Sequence, residues 1–162
     1  MTWSEVIAEK NLQDLPYKIE LNEWGNIVMS PASNRHSFLQ MAIAMLLAAQ
    51  KSDGHTFNEC SVETSQGVKV ADVIWGSSDF FSVHQLDTPY PVAPELCIEI
   101  MSPSNSMDEM EEKKDLYMER GALEVWICEE SGAITFWDIQ GKISTSDLFP
   151  DFPESIQVPF EI

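Results

Sequence analysis

Residues Pro94–Asn105 read PELCIEIMSPSN. Leu96, Ile98 and Ile100 alternate with Cys97 and Glu99, the period-two pattern of a β-strand, and Pro103 ends it. An acidic side chain therefore sits inside an apolar strand. Upstream, VKVADVIW (Val68–Trp75) is a second apolar strand with a second acidic residue, Asp72, flanked by Val70, Val73 and Ile74. Downstream, Ser106 and Glu109 form a capping box, the start signal of a helix that runs to Arg120, with Gly121 as its stop. Within that helix Met110, Lys113, Lys114, Tyr117 and Gly121 fall at i, i+3, i+4, i+7 and i+11, which is one face. If the apolar members point at the sheet, at least one lysine goes with them.

Further from this centre the pattern stays mixed. Ser4 is the expected N-cap of a first helix that ends before Pro16. Tyr17 to Leu21 and Asn26 to Ser30 read as strands around a Trp24-Gly25-Asn26 turn. Ser33 to Gln50 is the longest helix, with Phe38, Leu39, Ala42, Met45, Leu46 and Ala49 at three- and four-residue spacing. Thr56 to Glu63 is another strand before Asp72. Ser78 or Asp79 caps a short helix through His84, and Pro89, Pro91 and Pro94 mark an extended loop. Leu123 to Cys128 and Ala133 to Ile139 are strands, Gly141 is a turn, and Leu148 to Ile162 reads as a loop with a short edge strand. The order predicts one α/β domain over 1–162, a mixed sheet flanked by helices.

The bulk numbers narrow the function. At 162 residues and 44% hydrophobic, the chain can build a core. No apolar run approaches the length of a membrane span, and the N-terminus lacks the features of a secretory signal, so a cytoplasmic protein is expected. Cys60, Cys97 and Cys128 are widely spaced and read as reduced, buried thiols rather than a zinc site. Nine Lys and Arg stand against 27 Asp and Glu, a net charge of −18. Such a field repels polyanions at long range and argues against tight non-specific DNA binding by the isolated chain. It leaves room for a metal-dependent enzyme, because a bound cation inverts the local field.

Asp72 and Glu99 on neighbouring strands could share a divalent cation, which offsets the cost of burying them. A lysine from the following helix could then position water and stabilise charge on a phosphate. A plainer arrangement uses the same residues: both carboxylates face water, and Glu109 pairs with Lys113 along an exposed helix face. His55 and His84 read as loop residues, and Trp75, Trp126 and Trp137 as core. Ser102 and Ser104 have no partner histidine at a recognisable spacing, and no glycine-rich phosphate loop is present.

The blocks YKIELNEWGNIVMSPAS with His36, VKVADVIW, PELCIEIMSPSN and DEMEEKKDLYMERGALEVWI resemble the Uma-two family of restriction endonuclease-like proteins. The likeness spans about Tyr17 to Phe149. It implies a PD-(D/E)XK nuclease-like core in which Asp72 and Glu99 hold Mg2+ or Mn2+. It also implies that Lys113, or its neighbour Lys114, assists attack on phosphate, because Met101 stands where such enzymes often carry the lysine. Glu20 matches a further family carboxylate, and His36 a histidine near a helix start. The chain departs from the pattern in two places: Ala71 precedes Asp72 where proline is usual, and Glu95 follows Pro94 where aspartate is usual. The implied activity is DNA phosphodiester hydrolysis, with a homodimer as the expected assembly. A non-catalytic interaction module that keeps the fold is the alternative.

Overall fold

The computed structural model describes residues 1–160. Helix α1 (Trp3–Ala8) and a 3-10 turn (Lys10–Leu12) lead into the hairpin β1 (Tyr17–Leu21) and β2 (Ile27–Pro31). Helix α2 (Asn34–Gln50) follows, then β3 (His55–Thr64), β4 (Gly67–Gly76), α3 (Ser78–His84), β5 (Leu96–Ile100), α4 (Met107–Glu119), β6 (Glu124–Cys128), β7 (Ile134–Asp138) and β8 (Gly141–Ile143). Six strands form one sheet in the order β3-β4-β5-β6-β7-β8, and β1-β2 stand apart as a two-stranded sheet. All neighbours in the large sheet are antiparallel except β5 and β6, which are parallel and joined by α4. A parallel neighbour needs such a crossover.

The alternation read in β5 does not mean one wet face. Every residue of β5 and of β6 is buried. Helices cover an α/β sheet on both sides, so its central strands carry apolar side chains on both faces. Helix α2 lies on one face. Its Leu39, Ile43 and Leu47 are fully buried beside Val73, Leu96, Ile98 and Trp126. Burying each such aliphatic side chain contributes roughly 1.5–3 kcal/mol. On the other face Tyr117, Met118 and Ala122 pack with Ala71, Ile74, Cys97 and Val125.

Several boundaries differ from the sequence reading, each for a local reason. Thr2, not Ser4, caps α1: its hydroxyl accepts from the Glu5 amide and Glu5 returns the capping box. Ser77, not Ser78 or Asp79, caps α3. Pro31 pairs with Tyr17 as the last residue of β2 instead of ending it earlier, which an edge position permits. Gly141 opens a short strand, β8, as well as a turn. His55 opens β3 and His84 closes α3, so neither lies in a loop. In the tail, Ser155 bridges to Ala133 without a named strand; residues 161–162 of that stretch lie outside the described residues. Among the described residues, no helix is long and apolar enough to cross a membrane.

The hairpin is seated by a glycine. Gly67, at the β3–β4 turn, has φ +86, and a Cβ there would run into the carbonyl oxygens of Leu21 and Asn22. Only glycine lets the end of β1 approach the sheet this closely. That contact brings the β1 side chains over β4 and β5.

Candidate active site

Strands β4 and β5 pair from Trp75↔Leu96 to Val73↔Ile98. Continuing that register would set Asp72 opposite Glu99, where the ladder stops. The Ile100 amide, which the ladder no longer uses, donates instead to Asp72 Oδ2 at 2.7 Å. The point where the strands part is thus where two carboxylates turn toward each other. Asp72 is 0% and Glu99 1% exposed.

Both meet a residue that the sequence reading passed over. Lys18, from β1, places its ammonium 3.1 Å from Asp72 Oδ1 and 3.0 Å from Glu99 Oε2. Lys113, from α4, lies 2.8 Å from Glu20 Oε1 and 3.6 Å from Glu99 Oε2. Glu20 also accepts from the Val70 amide at 2.7 Å, which ties the hairpin to β4. Tyr117, one turn beyond Lys113, donates its hydroxyl to Glu99 Oε1 at 2.7 Å. Lys114 turns away: its ammonium stacks 4.4 Å from the Trp137 ring centre and pairs with Asp115 at 3.3 Å. Lys113 is therefore the lysine that α4 delivers to Glu20 and Glu99, in place of the plain Glu109–Lys113 surface pair.

Helix α2 completes the ring. Ser33 caps it by accepting from the His36 amide at 3.1 Å, which fixes His36 in the first turn. His36 Nε2 then lies 3.3 Å from Asp72 Oδ1. One turn on, Gln40 Nε2 donates to the Asp72 carbonyl at 2.8 Å and to Glu59 Oε1 at 2.7 Å. Glu59 sits at φ 58, the left-handed region that side chains other than glycine rarely adopt, inside β3 and beside Asp72. Such outliers concentrate at functional sites. A cleft of about 270 Å³ opens here, lined by Lys18, His36, Glu59, Asp72, Glu99 and Lys113 among others.

The electrostatics follow from this packing. Burial pushes the Asp72 carboxyl up, but the Lys18 charge, His36 and the Ile100 amide together hold it below the usual carboxylate range. Burial likewise works against ionisation of Glu20, and Lys18 and Lys113 outweigh it. Glu99 goes the other way: complete burial, with Asp72 and Glu20 nearby, raises it despite both lysines. Burial lowers Lys18, yet Asp72, Glu99 and Glu20 more than compensate and keep it firmly protonated. Two acids held close with opposite shifts behave as one coupled pair. Cys60, Cys97 and Cys128 are free and buried, and burial raises all three thiols.

A mixed sheet whose β4 and β5 part to set one buried carboxylate from each side by side at a cleft, with a lysine delivered by the next helix, defines the restriction endonuclease-like α/β class. Residues 10–154 match the Uma2 family, described as "Putative restriction endonuclease", and the chain belongs to that family. The fold is similar to that of a solved protein from Anabaena variabilis, described as "a putative nuclease belonging to DUF820". That likeness covers 98% of this chain and 89% of the other, at 17% identity and a TM-score of 0.72. No curated protein matches.

Proposed function

We propose that the chain is a magnesium- or manganese-dependent phosphodiesterase acting on DNA. The observation that carries this reading is the convergence of Asp72 and Glu99 on a single positive charge, the Lys18 ammonium, at 3.1 and 3.0 Å. The donors there are carboxylate oxygens, the ligands of hard divalent cations. Among the described residues no cluster of three or more His, Cys, Asp or Glu side chains could hold a metal ion. Two carboxylates with the remaining positions open to water and substrate suit Mg2+, which keeps several waters and takes few protein ligands.

A bound cation would neutralise the carboxylate pair and polarise a phosphoryl oxygen. The protein's own groups do the rest. His36 and the Ile100 amide orient Asp72, and the Tyr117 hydroxyl orients Glu99. Lys113, held by Glu20, points its ammonium at the cleft, where it can orient the attacking water and stabilise charge on the phosphate. Purified protein is expected to cleave DNA with Mg2+ and to lose that activity on Asp72→Ala, by about a thousandfold or more in turnover. Cleavage that survives Asp72→Ala contradicts the assignment.

A reducing, cytoplasmic setting belongs to the same proposal, supported by three unpaired buried thiols. So does association into a homodimer, for which β8 supplies a sheet edge near the C-terminus and sedimentation at micromolar concentration is the test. The net charge of −18 favours the competing reading, a non-catalytic interaction module on the same fold. Calorimetry with Mn2+ separates them, because that module needs no cation.

A further inference from the structure

Lys18 is placed in an unusual way for a surface-strand lysine. It leaves a short hairpin strand, its side chain is only 11% exposed, and its ammonium bridges the two carboxylates that no other residue bridges so closely. Lys113 reaches only one of the pair, Glu99, and does so from 3.6 Å while making its closer contact to Glu20. The carboxylates face each other where β4 and β5 part, so their mutual repulsion is relieved by a proton on one of them or by a cation in that gap. A protein ammonium meets it.

We infer that Lys18 is a built-in counter-cation which occupies the divalent-metal position and must be displaced when a metal ion binds, so that it sets the metal affinity of the site. This deepens the proposed function and rests on it. Lys18 and the ion compete for the same two oxygens, Asp72 Oδ1 and Glu99 Oε2. A ligand that evicts a charged partner must overcome that partner's interaction with the site, so its apparent affinity falls accordingly. The side chain can yield with the hairpin left in its seat: Lys18 reaches the pair on a flexible four-carbon stem, from a strand that Glu20 holds against β4. The displaced ammonium would remain on the same strand, where Lys18 pairs with Ser30 at the wall of the cleft. There it is available to a phosphate of the substrate, which would need a positive neighbour.

The experiment is Mn2+ titration calorimetry on the full chain, wild type against Lys18→Met and Lys18→Arg, with folding followed by circular dichroism. Lys18→Met is expected to bind Mn2+ about tenfold or more tightly than wild type, and Lys18→Arg to remain close to wild type. Its melting temperature is expected to be lower than wild type in EDTA and to rise more on adding Mn2+. Equal or weaker Mn2+ binding by Lys18→Met overturns the inference and leaves the proposed metal site standing. Absence of binding to wild type and to Lys18→Met alike overturns the metal site, and the inference with it. Should Lys18→Met fail to fold in EDTA, the wild-type protein carries the test through NMR of lysines labelled with 13C at the ε-carbon. Mg2+ is then expected to shift the Lys18 resonance in step with saturation, and a Lys18 signal that stays fixed while Mg2+ binds overturns the inference.

Discussion

At the scale of single residues, the site consists of charges whose costs of burial are met one by one. His36 illustrates the sign. Burial lowers its basicity, but contact with Asp72 more than reverses this, so its folded value lies above the ordinary 6.5. A histidine raised in this way adds stability that is fully present below 6.5 and is lost as the pH rises through the folded value. In EDTA, the wild-type urea midpoint is therefore expected to fall as pH climbs from 6.5 through the raised folded value. His36→Gln should flatten that alkaline limb, and an unchanged slope would remove His36 from the charge balance. Asp72 and Glu20, both lowered, act at the other end. Their contribution is in place above the ordinary values of 3.8 and 4.5 and is lost as pH falls through the folded ones. Asp72 and Glu99 were legible as candidates because charges inside apolar periodicity are costly and so conspicuous; helix spacing pointed to Lys113 and Lys114 alike, and only the family likeness favoured Lys113. Lys18 was legible in principle: in YKIEL it shares a strand face with Glu20, two residues on. A charged residue at the start of a short strand normally faces water, whereas this one turns inward to Asp72 and Glu99, on a strand whose far end Gly67 lets approach the sheet.

Among the elements, the segment after α4 shows how a sequence motif can be specific for a structural reason. In Gly121-Ala122-Leu123-Glu124-Val125-Trp126 the glutamate and tryptophan hold each other, the indole donating to Glu124 Oε2 at 2.8 Å. Glu124 also accepts from Ser146 Oγ at 2.6 Å and from the amides of Asp147 and Leu148 at 2.7 and 3.0 Å. It is buried and has no part in the cleft. Glu124→Ala is expected to cost roughly 3 kcal/mol or more in urea unfolding, because several buried donors lose their acceptor at once. Mn2+ affinity per folded molecule should stay unchanged, and a loss of affinity without loss of stability would contradict this structural role. The capping box at Ser106 and the helix α4 that follows it could be read directly, since their signals are local. The full burial of β5 and β6 could not, because it depends on which helices land on each face.

For the whole molecule, the separation of the hairpin from the main sheet was not visible in the order of elements. Strand pairing between β1 and β4 or their side-by-side stacking gives the same string of helices and strands. The charge, by contrast, could be counted but not placed. Of nine Lys and Arg, Lys18 and Lys113 line the cleft facing Glu59, Asp72 and Glu99, and Lys69 lines a neighbouring pocket with Glu20. A protein that repels polyanions globally therefore keeps acids in excess of lysines in the cleft as well, and a bound divalent cation is what would reverse the field there. In the proposed function the pair of Asp72 and Glu99 is the seat of a divalent ion. Its most direct test is a crystal soaked in Mn2+ and read by anomalous scattering: the prediction is a peak between the Asp72 and Glu99 carboxylates with the Lys18 ammonium moved aside, whereas Lys18 still bridging both acids, with no ion between them at saturating Mn2+, would contradict it.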